Sequence, residues 1–196
     1  MKLNIANTLT LMRIALTPVF IIVLFYDHPF AKLWALGIFL VASITDAFDG
    51  YFARKHDQVT DQGRFLDPLA DKILVLSALI SFAIMDVIPY WMVGLIIFRD
   101  MFVTGLRVIL KNGGFSMVTS KVAKAKTLVQ VVAIVSILLY LGLVKLALNW
   151  THNFVQLVNE YDLIYVFALS ITVFTVFTGL VYIYDNRSSI RQYLAQ

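Results

Sequence analysis

Apolar residues along this chain run in blocks of about twenty, separated by short polar or turn-forming segments. An α-helix rises about 1.5 Å per residue, so about 20 apolar residues cross the roughly 30 Å of bilayer hydrocarbon. The pattern predicts six such spans, at residues 8–26, 33–55, 67–86, 88–110, 122–146 and 162–185. The punctuation between them is legible: Asp27-His28-Pro29 before the second, Asp57 to Gly63 before the third, Pro89 after the third, Asn112-Gly113-Gly114 before the fifth, and Asn149 to Glu160 before the sixth. The expected fold is an all-α integral membrane protein with six transmembrane helices, forming a single membrane-embedded domain over residues 1–196. No internal repeat stands out, which argues against a transporter built from two related halves.

Composition sharpens the class. The 196 residues are 60% hydrophobic and only 14% charged, against about a quarter charged in a soluble domain. Met1-Lys2-Leu3-Asn4 leads into apolar sequence with no small-residue cleavage site, so no removable signal peptide is expected. The absence of cysteine excludes disulfides, zinc-thiolate sites and thiol nucleophiles. A net charge of +4 would suggest nucleic acid in a soluble chain, but in a membrane chain the placement of the charges says more. Lys32 and Lys145 fall on the side of the odd-numbered loops, and the rest of the 16 Lys and Arg residues gather on the other side or at its helix ends. Lys2, Arg54, Lys55, Arg64, Lys111, Lys121, Arg187 and Arg191 carry that bias. The positive-inside rule makes the basic side cytoplasmic, with both termini there, in a bacterial-type inner membrane crossed several times. No nucleic-acid partner is expected. Tyr90, Trp91 and Trp150 fall at the opposite ends of the spans, as helix anchors in an aromatic belt would.

Against this apolar background the segment "TDAFDGYFARK", residues 45 to 55, is an anomaly. Asp46 and Asp49 are spaced i, i+3, and Asp67 and Asp71 i, i+4, so each pair shares a helix face. A short connection makes the second and third spans antiparallel neighbours, with both pairs near one cytoplasmic end. An aspartate at the centre of a membrane helix costs about 2.5–3.5 kcal/mol, and clustered anions also repel one another, so a cation is required. With no cysteine and no suitably spaced histidine among His28, His56 and His152, the ligands are hard oxygens suited to magnesium, manganese or calcium. Several carboxylates suggest two metals about 3.5–4 Å apart, an arrangement that serves phosphoryl transfer. Simpler roles stand beside this one: Asp67 before Pro68 can cap a helix, and Asp46 or Asp49 can pair with Arg54. They serve for single aspartates and poorly for all four together.

In full, Asp46-x-x-Asp49-Gly50-x-x-Ala53-Arg54, eight residues, Gly63, three residues, Asp67, three residues, Asp71 resembles without a gap the signature of the CDP-alcohol phosphatidyltransferase family. The resemblance implies a six-helix membrane enzyme with two divalent metal ions, Mg2+ or Mn2+, and an active site facing the cytoplasm. It also implies transfer of a phosphatidyl group from CDP-diacylglycerol to an alcohol, with release of CMP. By position, Asp46, Asp49, Asp67 and Asp71 are implied as metal ligands and Asp71 also as the general base. Asp49, Gly50, Ala53, Arg54, Gly63 and Asp67 are implied to bind CDP-diacylglycerol.

The basic residues bear on the acceptor. Arg13, Arg99, Arg107, Lys121, Lys124 and Lys126 all fall near the cytoplasmic helix ends, more cation than the aspartates and two metals need, which points to an anionic alcohol. The lysines also read as markers of the inner membrane surface, and Arg99 beside Asp100 as a structural ion pair. The flanks, Ile5-Ala6-Asn7-Thr8-Leu9-Thr10-Leu11-Met12-Arg13, "RDMFVTGLR" from Arg99 and "AKAKTLVQ" from Ala123, are similar to the phosphatidylglycerophosphate synthase branch, whose acceptor is glycerol 3-phosphate. Ala6 stands where that branch has proline and Ala123 where it more often has glycine. Thr10, Arg13, Arg107, Lys124 and Lys126 are the candidates for the acceptor phosphate, arginine as a planar fork and lysine as a point charge. The alternatives within the family are a cardiolipin synthase or an inositol-phosphate phosphatidyltransferase. Outside it stands a divalent-cation transporter, disfavoured because the four acids crowd toward one end of their spans. Membrane lipids are the expected surroundings, and a homodimer is compatible with all of this.

Overall fold

The computed structural model describes the backbone of residues 5–55, 61–114, 121–146 and 151–194, and the side chains of residues 11–45, 72–110, 113–114, 126–146 and 151–193. Among the described residues every regular element is an α-helix: α1 (Ile5–Phe25), α2 (Ala31–Lys55), α3 (Asp61–Ile84), α4 (Tyr90–Asn112), α5 (Lys121–Leu146), α6 (His152–Glu160), α7 (Leu163–Asp185) and α8 (Arg187–Leu194). The long helices follow the six apolar blocks. The largest departure is the start of α3, which is already wound at Asp61. Gly63 is therefore helical and not part of the preceding turn, and Asp67-Pro68 lies inside the helix and not at its cap. Hydropathy marks only the apolar part of a helix, and the polar run Asp61-Gln62-Gly63-Arg64 is helix that precedes it. The segment read as a connection before the last span holds α6, a short helix with Phe154, Val155, Leu157 and Val158 at helical spacing, of which Val158 is buried. The Asn112-Gly113-Gly114 stop is present: the Gly113 N–H donates to the Ile109 carbonyl at 3.1 Å, and Gly114 adopts φ +79°, which glycine reaches without steric penalty.

Lys126–Leu146 and Leu163–Asp185 are long and apolar enough to cross a membrane by length and composition, with mean hydropathy 2.5 and 2.2. Shorter apolar stretches occupy Leu11–Phe25, Ala31–Thr45 and Lys72–Ile84. Burial on α7 is the reverse of a soluble helix. Its buried residues are mostly small or hydroxylated, Ala168, Thr172, Thr175, Thr178 and Gly179 with Ile171 and Tyr182, while Val173, Phe177 and Leu180 are about 60% exposed. Small and hydroxylated residues between helices, with large apolar ones outward, are what lipid surroundings select. This is an all-helical membrane protein.

Contacts gather the chain into two units, one of residues 1–82 and 134–161, the other of residues 83–133 and 162–196. In the first, α1 and α2 form an antiparallel hairpin. Arg13, Thr17, Phe20 and Leu24 make one buried stripe along α1, matched on α2 by Ala31, Ala35, Phe39 and Ala42, and the Phe20 and Phe39 rings meet at 5.8 Å. At the turn end, Lys32 Nζ donates to the Leu24 carbonyl, closing the C-terminus of α1, and Lys145 Nζ meets Asp27 Oδ1 at 3.1 Å. Lys32 and Lys145, assigned together from the loop pattern, do share one end of this unit. In the second unit α4 packs along α7, and Tyr90 and Trp91 are exposed at the start of α4, where anchors belong. Trp150 lies outside the described residues.

Candidate active site

The backbone places Asp46, Asp49, Gly50, Ala53 and Arg54 in the last turns of α2, and Gly63, Asp67 and Asp71 in the first turns of α3. Each aspartate pair is thus helical, at the spacing that puts it on one face. Their side chains, with those of Thr10 and Lys124, lie outside the described residues, as does the link at residues 56–60. Among the described residues no group of three or more metal-ligating side chains occurs.

Arg13 is the described cation nearest this end of the hairpin. From the Phe20–Phe39 contact, Arg13 lies about two helical turns back along α1 and Asp46 about two turns on along α2. Arg13 is therefore level with the position of Asp46, on the stripe that faces α2, and is only 1% exposed. Pro18 lies within α1, and one residue before it the Thr17 hydroxyl donates to the Arg13 carbonyl at 2.9 Å. A fully buried arginine is costly unless it has anionic company.

The second unit holds the other described candidates, Arg107 and Lys126. Arg107 is exposed. Its Nε donates to the hydroxyl of the buried Tyr182 at 3.4 Å, and its guanidinium carbon lies 5.5 Å from the centre of that ring, within cation–π range. Lys126, by contrast, is 8% exposed and paired to Asp100. Asp100 also takes Arg99 Nη1 at 3.3 Å on the same Oδ1, so the Arg99–Asp100 pair read from the sequence is present but extends to a third partner. Arg99 Nη2 donates to Thr178 Oγ1 at 3.1 Å, and Thr178 in turn donates to the Thr175 carbonyl at 2.8 Å. Gly179 makes this crossing possible: a Cβ there would lie 2.8 Å from Arg99 Cγ.

Asp100 as a bridge, Thr178, Gly179 and Tyr182 are partners for which the sequence alone named no role. A signal was present in the last span: Thr172, Thr175, Thr178, Gly179 and Tyr182 recur at spacings of three and four within an apolar segment, a stripe of small and hydroxylated residues of the kind that packs between membrane helices.

Comparison with known proteins settles the family. The description of CDP-alcohol phosphatidyltransferases matches residues 3–177, which takes in every signature position. The chain belongs to the CDP-alcohol phosphatidyltransferase family. Among its relatives, the CDP-diacylglycerol–glycerol-3-phosphate 3-phosphatidyltransferase of Bacillus subtilis is 43% identical over 149 residues, covering 70% of this chain and 77% of the relative. The protein of the same name from Rickettsia bellii is 38% identical over 170 residues, covering 81% and 92%. A probable phosphatidylglycerophosphate synthase of Mycobacterium tuberculosis is 44% identical over 134 residues, covering 67% and 64%.

Proposed function

We propose that this chain transfers the phosphatidyl group of CDP-diacylglycerol to glycerol 3-phosphate, forming phosphatidylglycerophosphate and releasing CMP. The observation that carries the reading is the ungapped signature, with both aspartate pairs on helical turns at the adjoining ends of α2 and α3, in a chain whose relatives bear the name of that activity. Residues 1–196 act as one catalytic domain, since the family match runs through both units. Six spans with both termini in the cytoplasm put the signature at the inner face of a bacterial cell membrane, where the donor's nucleotide is exposed and its acyl chains stay in lipid.

Four carboxylates are a donor set that fits two Mg2+ or Mn2+ ions, held by Asp46, Asp49, Asp67 and Asp71. Such ions supply charge neutralisation at a pyrophosphate and at the departing phosphate oxygen. Asp71 takes the proton of the acceptor hydroxyl. The hydroxyl oxygen then bonds to the phosphorus that bears diacylglycerol, and the bond from that phosphorus to the oxygen of CMP breaks. Asp49, Gly50, Ala53, Arg54, Gly63 and Asp67 bind the cytidine nucleotide, the glycines because a missing side chain admits a ligand to the backbone. Thr10, Arg13, Arg107, Lys124 and Lys126 bind the acceptor phosphate.

Purified protein given CDP-diacylglycerol and Mg2+ is offered glycerol 3-phosphate, inositol phosphate and phosphatidylglycerol in parallel, with CMP release as the readout. Release with glycerol 3-phosphate supports the reading. Release with only one of the other two assigns the chain to a different branch.

A further inference from the structure

The second unit contains a buried ionic cluster in which one oxygen, Asp100 Oδ1, joins α4 to α5 through Lys126 and accepts from Arg99, which is itself bound to α7. Asp100 is 6% exposed, and the side chains of Arg99 and Lys126 are 11% and 10% exposed. Taking ions out of water costs several kcal/mol each, and apolar residues of like volume would join three helices at least as stably. Helix packing alone therefore does not account for the cluster.

Its geometry has another use. A lysine ends on four flexible carbons, and in a membrane protein an unheld ammonium swings toward the interface. An ammonium has three N–H donors, so a carboxylate can fix its place while it meets a further oxygen. Arg99 could turn away from Asp100, but its Cγ lies against the Gly179 backbone and its Nη2 is bound to Thr178. Asp100 thus faces Lys126 from a braced position.

We propose that Asp100 is a positioning residue for the acceptor site, fixing the Lys126 ammonium where it binds the phosphate of the acceptor. This rests on the reading of Lys126 as an acceptor-phosphate ligand. Losing a charged hydrogen bond is worth about 1.5–3 kcal/mol, or about 10- to 100-fold.

The test is steady-state kinetics of the full chain in detergent, with CDP-diacylglycerol and glycerol 3-phosphate varied separately. For Asp100→Asn the expected result is a KM for glycerol 3-phosphate raised about tenfold or more, with KM for CDP-diacylglycerol unchanged. Asp100→Glu keeps the charge and recovers most of the loss. In a double-mutant cycle, Asp100→Asn adds nothing to the loss already caused by Lys126→Ala. A glycerol 3-phosphate KM within twofold of wild type in Asp100→Asn, or both KM values rising together, overturns the proposal while leaving the proposed activity standing. If Asp100→Asn does not accumulate, Asp100→Glu is read by itself: the carboxylate shifted by one methylene should leave a small rise in KM for glycerol 3-phosphate alone, and no rise, or a rise in both KM values, overturns the proposal. A wild-type protein that turns over but rejects glycerol 3-phosphate defeats the activity, and the proposal with it.

Discussion

The guanidinium of Arg107 on α4 lies over the ring of Tyr182 on α7, with Arg107 Nε 3.4 Å from the tyrosine hydroxyl. The tyrosine is 1% exposed and the arginine is exposed, so a buried residue orients an exposed one. Tyr182→Phe keeps the ring and removes the hydroxyl, a loss of about 1 kcal/mol. The expected outcome is a rise of about threefold to fivefold in KM for glycerol 3-phosphate with folding intact. An unchanged KM would mean that the hydroxyl does not orient Arg107.

Arg107 itself is expected to matter more. Arg107→Ala should raise KM for glycerol 3-phosphate by tenfold or more, on the order expected for a lost charge-assisted contact. Arg107→Lys should recover only part of this, because an ammonium cannot reproduce a planar fork. An effect confined to KM for CDP-diacylglycerol would count against acceptor binding.

Glycines on the two facing helices should respond in opposite ways. A Cβ at Gly179 meets Arg99 Cγ at 2.8 Å and Nε at 2.9 Å, whereas one at Gly94 meets nothing within 4 Å. Gly179→Ala should lower the thermal midpoint in detergent, at about 1–3 kcal/mol for overpacking. Gly94→Ala should leave it unchanged or raise it, as alanine is favoured over glycine in a helix by up to about 1 kcal/mol. Equal behaviour of the two would show that Arg99 does not cross α7 as described.

Much of this architecture was legible in the sequence, and the reasons are physical. The six long helices follow the apolar blocks because apolar residues sustained over about twenty positions are buried best as helix, and the stop at Gly113-Gly114 follows from glycine chemistry. What hydropathy could not mark was helix of polar or mixed sequence: the first turns of α3, and α6, whose apolar residues alternate with polar ones at helical spacing. The aspartate signature was legible in full because its spacing is local. The partnership of Asp100 with Lys126 was not, since it joins residues on different helices and depends on how α4 and α5 meet. Lys126, read from the sequence as an acceptor-phosphate candidate or a marker of the inner membrane surface, is buried.

Asp71 is assigned the proton transfer. Asp71→Asn should abolish CMP release while CDP-diacylglycerol binding persists, measured by isothermal titration or by protection against thermal unfolding. Near-normal turnover in this variant would remove the base role from Asp71.

The central claim is that the four aspartates of α2 and α3 hold paired divalent ions, and a direct count tests it. Mn2+ bound by purified protein in the presence of CDP-diacylglycerol can be measured by electron paramagnetic resonance, for the wild type and for Asp46→Asn, Asp49→Asn, Asp67→Asn and Asp71→Asn. The account predicts about two ions per wild-type chain, close enough for spin coupling at about 3.5–4 Å, and fewer in every variant. A wild-type chain that binds no Mn2+, or four variants that all keep the wild-type count, would contradict it.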